Sequence, residues 1–174
     1  MIKSPFLLFI LLLFTTIHLS LQGAHIYAGT FEIMNENSQK LLDVADASIE
    51  NGAKINQFHR TRGLNQRWDL YYEGWYLNGQ AFSLISVHSG MAIDNPGGST
   101  EAGTQMQQFT YHGGENQLFV LKAASDGSVY LQNVASELYL DIQSASQDDR
   151  TPLIQSRWTW GIRERWYFVP AVIY

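Results

Sequence analysis

Apolar and polar residues alternate over short stretches along the whole chain. Thr30-Phe-Glu-Ile33, Phe82-Ser-Leu-Ile85 and Tyr130-Leu-Gln-Asn133 follow this period of two, which is typical of strands with one buried face. Turn-forming residues separate such stretches at Asn51-Gly52, Asn78-Gly79, Pro96-Gly-Gly98, Gly113-Gly114 and Asp126-Gly127. Because no helical periodicity continues for more than two turns, the pattern predicts an all-β domain.

The first 24 residues have a different pattern. Lys3 precedes an unbroken apolar run from Pro5 to Phe14, and a more polar stretch leads to Gly23-Ala24. A membrane anchor is the alternative, but a transmembrane span needs about 20 apolar residues. We therefore interpret residues 1–24 as a secretory signal peptide and residues 25–174 as one exported domain, secreted and extracellular.

Three aspartates anchor an internal repeat. Asp43, Asp94 and Asp141 are separated by 51 and 47 residues, and apolar residues recur at fixed offsets from each of them. The offsets −10, −1, +12, +25 and +27 give five columns of three residues: Ile33, Leu84 and Leu131; Leu42, Ile93 and Leu140; Ile55, Met106 and Leu153; Trp68, Phe119 and Trp166; and Leu70, Leu121 and Phe168. A glutamine column stands at +14, in Gln57, Gln108 and Gln155.

Three repeats of about four short strands each predict about twelve strands. A chain of this length cannot form a propeller or an extended solenoid from them, but it can close a small barrel without exposed edges. We therefore predict a β-trefoil with pseudo-threefold symmetry, with repeats over about 27–73, 74–124 and 125–174. The aromatic column would fill one layer of the barrel interior.

Composition narrows the possible functions. The 174 residues carry a net charge of −5, so no basic surface for nucleic acid is indicated. Cysteine is absent, which excludes disulfides, thiol catalysis and cysteine-based zinc sites. No serine-hydrolase, zinc-protease or phosphate-binding motif occurs, so we do not expect an enzyme.

Asn65-Gln-Arg-Trp68 and Asn116-Gln-Leu-Phe119 resemble the repeated Gln-x-Trp motif of the ricin-B-type lectin family, and the resemblance extends from about Tyr27 to Val172. It implies a carbohydrate-binding trefoil, often specific for galactose or N-acetylgalactosamine, that needs no metal or cofactor. The implied partners are glycans on glycoproteins, glycolipids or polysaccharides, with no nucleic acid and no membrane insertion. In the family, each repeat can hold one shallow sugar site.

The resemblance assigns the most complete site to the second repeat. Its implied residues are the anchor Asp, an amide on the next strand, an aromatic ring and the Asn-Gln pair, which are here Asp94, Gln107, Phe109, Asn116 and Gln117. Tyr111 and His112 are reserve rings for this site.

The first repeat offers Asp43, Asn56, Phe58 and Asn65, with Asn in place of the usual Gln and His59 as an alternative ring. The third repeat departs further. Asp141 is present, but Ile154 and Ser156 occupy the amide and ring offsets and Arg163-Glu164 replaces Asn-Gln. We expect an impaired third site unless Trp158 or Trp160 supplies a ring from a shifted position.

Each of these residue types also has a structural interpretation. Aspartates at strand ends often bond the backbone of a turn, the glutamine column and Gln66 and Gln117 fit buried roles that satisfy backbone groups, and Phe58 and Phe109 fit the core. The alternative function is a β-trefoil protease inhibitor, or another protein-binding trefoil that uses a surface loop. Such a protein has no need to repeat Asp, amide and Asn at fixed offsets, as the first two repeats do.

Overall fold

The computed structural model describes residues 25–77 and 79–171, which form twelve strands. The first repeat contains β1 (Ile26–Asn35), β2 (Leu41–Val44), β3 (Ile55–Phe58) and β4 (Trp68–Tyr76). The second contains β5 (Gly79–Ser86), β6 (Ala92–Asp94), β7 (Gln107–Phe109) and β8 (Phe119–Ala123). The third contains β9 (Val129–Asn133), β10 (Tyr139–Ile142), β11 (Thr151–Ser156) and β12 (Trp166–Pro170).

The first and last strands of the repeats close a six-stranded antiparallel barrel. β1 pairs with β4, β4 with β5, β5 with β8, β8 with β9, β9 with β12, and β12 with β1. Because the ring of pairings is complete, the barrel has no open edge. The predicted β-trefoil is confirmed.

The other six strands form three hairpins that cap the barrel. β2 pairs with β3, β6 with β7, and β10 with β11. Neighbouring hairpins are joined by the β3–β11 pairing and by the isolated bridges Lys54–Gln107 and Gln105–Ile154. Each hairpin therefore lies beside the hairpin of another repeat.

The core lies inside the barrel and beneath the cap. All fifteen residues of the five predicted apolar columns are at most 5% exposed. The indole Nε1 atoms of Trp68 and Trp166 donate hydrogen bonds to the carbonyls of Leu42 and Leu140, at 3.2 and 3.3 Å. The repeat columns thus predicted the core correctly.

The hairpin of β4 and β5 is longer than the repeat pattern indicated. β4 runs to Tyr76, beyond the predicted end of the first repeat at 73, and its register shifts between Tyr72 and Gly74. The bulge lets the two strands continue pairing past the barrel. The proposed signal peptide, residues 1–24, lies outside the described residues. Within the described ranges, no helix is long and apolar enough to cross a membrane.

Candidate functional site

The side chain of each anchor aspartate lies between a cap hairpin and a single 3₁₀ turn. The turns cover Leu64–Gln66, Glu115–Gln117 and Ile162–Glu164, and a glycine with extended backbone precedes each of them. The turn directly precedes a barrel strand that begins with a buried aromatic residue. Packing of that aromatic residue therefore fixes the turn against the hairpin, and the turn's side chains reach the aspartate.

The second repeat brings its predicted polar residues together. Asp94 is 3% exposed, and its Oδ2 accepts hydrogen bonds from Asn116 Nδ2 at 2.9 Å and Gln117 Nε2 at 3.0 Å. Its Oδ1 accepts from Gln107 Nε2 at 3.0 Å across the β6–β7 pair. Gln117 is fully buried, so we assign it the positioning of Asp94 and not direct contact with a ligand.

The rings near the second pocket differ in orientation. Phe109 is 37% exposed and is therefore not a core residue. His112 packs edge-on against Phe109, and its Nε2 lies 3.8 Å from Asp94 Oδ2. Tyr111 is directed elsewhere: its ring lies 4.9 Å from the ring of His25, and burial, with Glu73 nearby, raises its pKa. Of the two reserve rings, His112 is the one beside the carboxylate.

The first repeat reproduces this arrangement, in which an asparagine and a glutamine amide both donate to one aspartate oxygen. We call it the carboxylate clamp. Asp43 Oδ2 accepts from Asn65 Nδ2 at 3.0 Å and from Gln66 Nε2 at 2.9 Å. Asn56 lies opposite Asp43 in the β2–β3 register but is one methylene shorter than the glutamine of the second repeat. Its Oδ1 instead accepts from Gln105 Nε2 at 3.1 Å. Asp43 Oδ1 consequently makes no hydrogen bond to another described residue.

A cavity of about 220 Å³ occupies the first repeat. The four predicted residues of this site all contribute to it, together with a 3₁₀ turn over Ala45–Ala47 and two loop residues, Thr61 and Arg150. The complete lining is Asp43, Ala45, Asp46, Ala47, Asn56, Phe58, Thr61, Asn65 and Arg150. His59 lies beside Phe58, with ring centroids 4.5 Å apart, and bonds to Asp149. Asp46, Thr61 and Arg150 were not predicted from the sequence, and Arg150 belongs to the third repeat.

The electrostatics of the first pocket centre on Asp43. Burial raises the pKa of its carboxyl, the hydrogen bonds from Gln66 and Asn65 oppose that shift, and the charges of Asp46 and Asp149 add to it. The two amide donors stabilise the ionised form. An ionised Asp43 presents its free oxygen as an acceptor.

The third repeat holds its aspartate differently. Asp141 is 2% exposed, and Arg163 Nε lies 3.2 Å from its Oδ2. Glu164 is fully buried and accepts from the backbone N–H of Thr159 at 3.1 Å and from its hydroxyl at 2.7 Å. Ile154 lies opposite Asp141 and offers no donor. The buried Oδ1 of Asp141 has no hydrogen-bond partner within the described part of the chain.

In the third repeat Arg163 and Glu164 replace the Asn-Gln pair of the other two turns. Their charges act on Asp141 in opposite directions. A glutamate only accepts hydrogen bonds, so Glu164 cannot donate to Asp141, and its charge adds to burial in raising the pKa of Asp141. Together with Ser156, the positive charge of Arg163 opposes both effects.

Aromatic rings stand near the third aspartate in a shifted arrangement. Ser156, at the ring offset, lies opposite Tyr139 in the β10–β11 pair. Trp158 stacks on Tyr139 with centroids 5.4 Å apart, and Trp160 stacks on Trp158 at 3.6 Å. Trp160 is 69% exposed. The third repeat therefore has exposed rings but lacks the amide clamp of the other two.

The glutamine column has the structural role predicted for it. Gln57, Gln108 and Gln155 are fully buried. Gln57 Nε2 donates to the carbonyls of Ser146 and Asp148 in the third repeat, both at 2.9 Å, and the other two glutamines make equivalent pairs of bonds to another repeat. Each Oε1 accepts from a serine hydroxyl, of Ser38, Ser89 or Ser136. These side chains tie the repeats together.

Among residues 25–77 and 79–171, no group of three or more metal-ligating side chains is placed to hold a metal ion.

Comparison with known proteins identifies the architecture. The profile of the family described as "Ricin-type beta-trefoil lectin domain-like" matches residues 18–74 and 64–156. The designed threefold-symmetric protein ThreeFoil is 33% identical, with a TM-score of 0.75, over 81% of this chain and 98% of its own. No curated protein sequence gives a significant match.

Two natural structures are also similar. The exo-β-1,3-galactanase 1,3Gal43A of Clostridium thermocellum is 29% identical, with a TM-score of 0.75, over 82% of this chain and 30% of its own. The ricin B-like lectin of Macrolepiota procera, solved in complex with lactose, is 18% identical, with a TM-score of 0.66, over 81% of this chain and 94% of its own. With its closed barrel, its three capping hairpins and the profile match over most of its length, the chain belongs to the ricin-type β-trefoil lectin domain-like family.

Proposed function

We propose that the protein is a secreted lectin that binds galactose-type glycans without metal through its first and second pockets. One observation carries the proposal: the same carboxylate clamp occurs twice. In both repeats one aspartate oxygen accepts from an asparagine and a glutamine amide at 2.9–3.0 Å. A carboxylate that binds a sugar hydroxyl must be held in one orientation, and the two amide donors hold each aspartate in that way.

A pyranose fits the remaining features of each pocket. Its apolar face of C–H groups packs on a ring such as Phe58 or Phe109. Its hydroxyls donate to the aspartate, and a hydrogen bond to a charged group contributes about 1.5–3 kcal/mol. An amide such as Gln107 both donates and accepts at the edge of the sugar. An epimer whose hydroxyl points away leaves the aspartate without its partner and is disfavoured.

The choice of a galactose-type sugar rests on similarity. The Macrolepiota procera lectin is in complex with lactose, and the Clostridium thermocellum enzyme is a galactanase. Lactose is therefore the first ligand to test. Because the pockets are shallow and bury little area, we expect a Kd on the order of millimolar at each site.

Two pockets in different repeats face different directions under pseudo-threefold symmetry. One monomer would then bridge two glycan-bearing surfaces, and its avidity would exceed the affinity of a single site by roughly 10²- to 10⁴-fold. We propose that the third repeat does not contribute a lactose site, because Arg163 and Glu164 replace its amide donors. Secretion rests on residues 1–24 as a signal peptide.

Titration calorimetry of the protein expressed without residues 1–24 tests the proposal. Lactose is titrated with and without EDTA, and the stoichiometry should be near two in both cases. Asp43→Asn and Asp94→Asn should each reduce it to one, while Asp141→Asn is the matched control that leaves it at two.

Three results would contradict the proposal. These are no saturable binding of lactose, loss of binding with EDTA, or equal binding by the native protein and the Asp43→Asn/Asp94→Asn double variant. A protein-binding trefoil that uses a surface loop would give the first result, and a sugar site away from the two aspartates would give the third.

A further inference from the structure

A cation from the third repeat lines the first pocket. The guanidinium carbon of Arg150 lies 5.9 Å from the centroid of the Phe58 ring, and both residues line the cavity that contains Asp43. Phe58 is the ring that we assign to the sugar. The guanidinium therefore lies close to that ring, within reach of a saccharide bound in the same cavity.

The backbone under Arg150 is fixed against the first repeat. Its N–H donates to the carbonyl of Gln57 at 2.8 Å. The preceding residue, Asp149, accepts from Lys40 Nζ at 2.6 Å and from the backbone N–H of His59 at 2.9 Å. Lys40 is the largest cause of the low pKa of Asp149, about 2. The loop is thus held over the first pocket by contacts that do not involve the Arg150 side chain.

The equivalent positions in the other repeats are glycines. Gly52, Gly103 and Arg150 each stand nine residues after an anchor aspartate, and all three have positive φ, at 85°, 92° and 64°. The N–H groups of Gly52 and Gly103 donate to the carbonyls of Gln108 and Gln155, each at 2.8 Å, as Arg150 does to Gln57. Glycine adopts this conformation without the steric cost that an L side chain incurs. The fold therefore does not require arginine here.

The charge of Arg150 is not neutralised within the described residues. No carboxylate oxygen lies within ion-pair distance of its guanidinium there, because the oxygens of the adjacent Asp149 are bonded to Lys40 and His59. The surroundings of the Asp43 carboxylate are instead negatively charged, because Asp46 lies close to it. The pocket has an acidic part that suits hydroxyls and a basic part that suits an anion.

We infer that the first pocket selects saccharides that carry an anionic substituent, a carboxylate or a sulfate, which binds Arg150 while the sugar hydroxyls bind Asp43. The inference rests on the proposed function. Guanidinium offers five donors in a planar fork that matches the oxygens of such anions. The second pocket, with Gly52 at the corresponding position, takes the neutral sugar.

The test measures the first pocket alone, in an Asp94→Asn background. The probes are lactose, lactose 3′-sulfate and 3′-sialyllactose, titrated calorimetrically at low and high salt. We expect at least one anionic probe to bind about 10- to 100-fold more tightly than lactose, with the preference reduced at high salt. The sulfate and sialyl probes distinguish the two sources of the anion.

Arg150→Gly is the decisive variant, because two repeats already carry glycine at this position. It should reduce the ratio of anionic to neutral affinity to about one, without lowering the Tm. Arg62→Gly is the matched control. Arg62 is also an exposed arginine with positive φ, at 67°, and its counterpart in the second repeat is Gly113, but it does not line the cavity. Its removal should leave the ratio unchanged.

The outcomes separate this inference from the proposed function. Equal affinity for all three probes, or a ratio that Arg150→Gly does not change, overturns the inference while lactose binding still supports the lectin. A similar fall in the ratio with Arg62→Gly also overturns it, since the preference would then reflect total charge. If the native protein binds none of the probes, the proposed function itself fails.

Discussion

The exchange of Asp94 for asparagine tests whether the carboxylate serves the sugar or the fold. In the native protein its Oδ2 holds Asn116 and Gln117, and its Oδ1 holds Gln107. Asparagine keeps the first two bonds if its carbonyl oxygen faces the turn, but its NH₂ group then faces the NH₂ group of Gln107. The Gln107 amide must rotate to restore a bond. Asp43→Asn is the matched change without this conflict, because no described residue donates a hydrogen bond to Asp43 Oδ1.

The expected magnitudes follow from these contacts. Asp94→Asn converts three charge-assisted bonds into neutral ones, and Asp43→Asn converts two, while both relieve the burial of a charge. We expect the free energy of unfolding to fall by less than about 1 kcal/mol for Asp43→Asn and by about 1–2 kcal/mol for Asp94→Asn. Sugar binding at the altered pocket should weaken by about 1–3 kcal/mol, which is roughly 5- to 150-fold.

Two measurements separate the roles. Urea denaturation gives the free energy of unfolding, and NMR titration with lactose follows each pocket through its own resonances. Refutation would be a loss of stability that exceeds the loss of binding in both variants, or unchanged lactose affinity at the substituted pocket. Either result would make the aspartates structural residues of the hairpin.

Four further outcomes are expected. Trp68→Ala should destabilise the fold by about 3–5 kcal/mol through a core cavity, measured by urea denaturation. Gln108→Leu should cost about 2–4 kcal/mol in the same assay, because the carbonyls of Ser48 and Glu50 in the first repeat and the Ser89 hydroxyl lose their partner. Lactose affinity at the first pocket should fall on acidification at a pH above the ordinary aspartate value of 3.8, because the pKa of Asp43 is raised and protonation removes the acceptor. Asp43→Asn or Asp94→Asn should abolish agglutination of glycan-coated beads, whereas Asp141→Asn should not.

The fold was predictable because the same pattern of apolar residues occurs in three repeats. A column such as Leu42, Ile93 and Leu140 repeats a single buried environment, and five such columns at fixed offsets specify both the strands and the symmetry. The family resemblance implied an amide on the strand after each aspartate, and in the structure Asn56 and Gln107 lie opposite Asp43 and Asp94. The long β4–β5 hairpin was not predictable, since it lies outside the repeated columns.

The sites were predictable only where one repeat supplies all the groups. Arg150 enters the first pocket from the third repeat, and Gln105 of the second repeat bonds Asn56 of the first. Offsets within one repeat carry no information about which neighbouring loop covers a pocket. Asn56 bonds to Gln105 and not to Asp43, because its side chain is one methylene shorter than that of Gln107 and because Gln105 is within reach. The offsets within one repeat do not show this combination.

A crystal structure of the protein with lactose tests the central claim most directly. We expect one galactose in each of the first two pockets, with hydroxyls on Asp43 and Asp94, the apolar face of the sugar on Phe58 and Phe109, and no metal ion between protein and sugar. Lactose bound away from both aspartates, or held to them through a metal ion, would contradict the carboxylate-clamp mechanism.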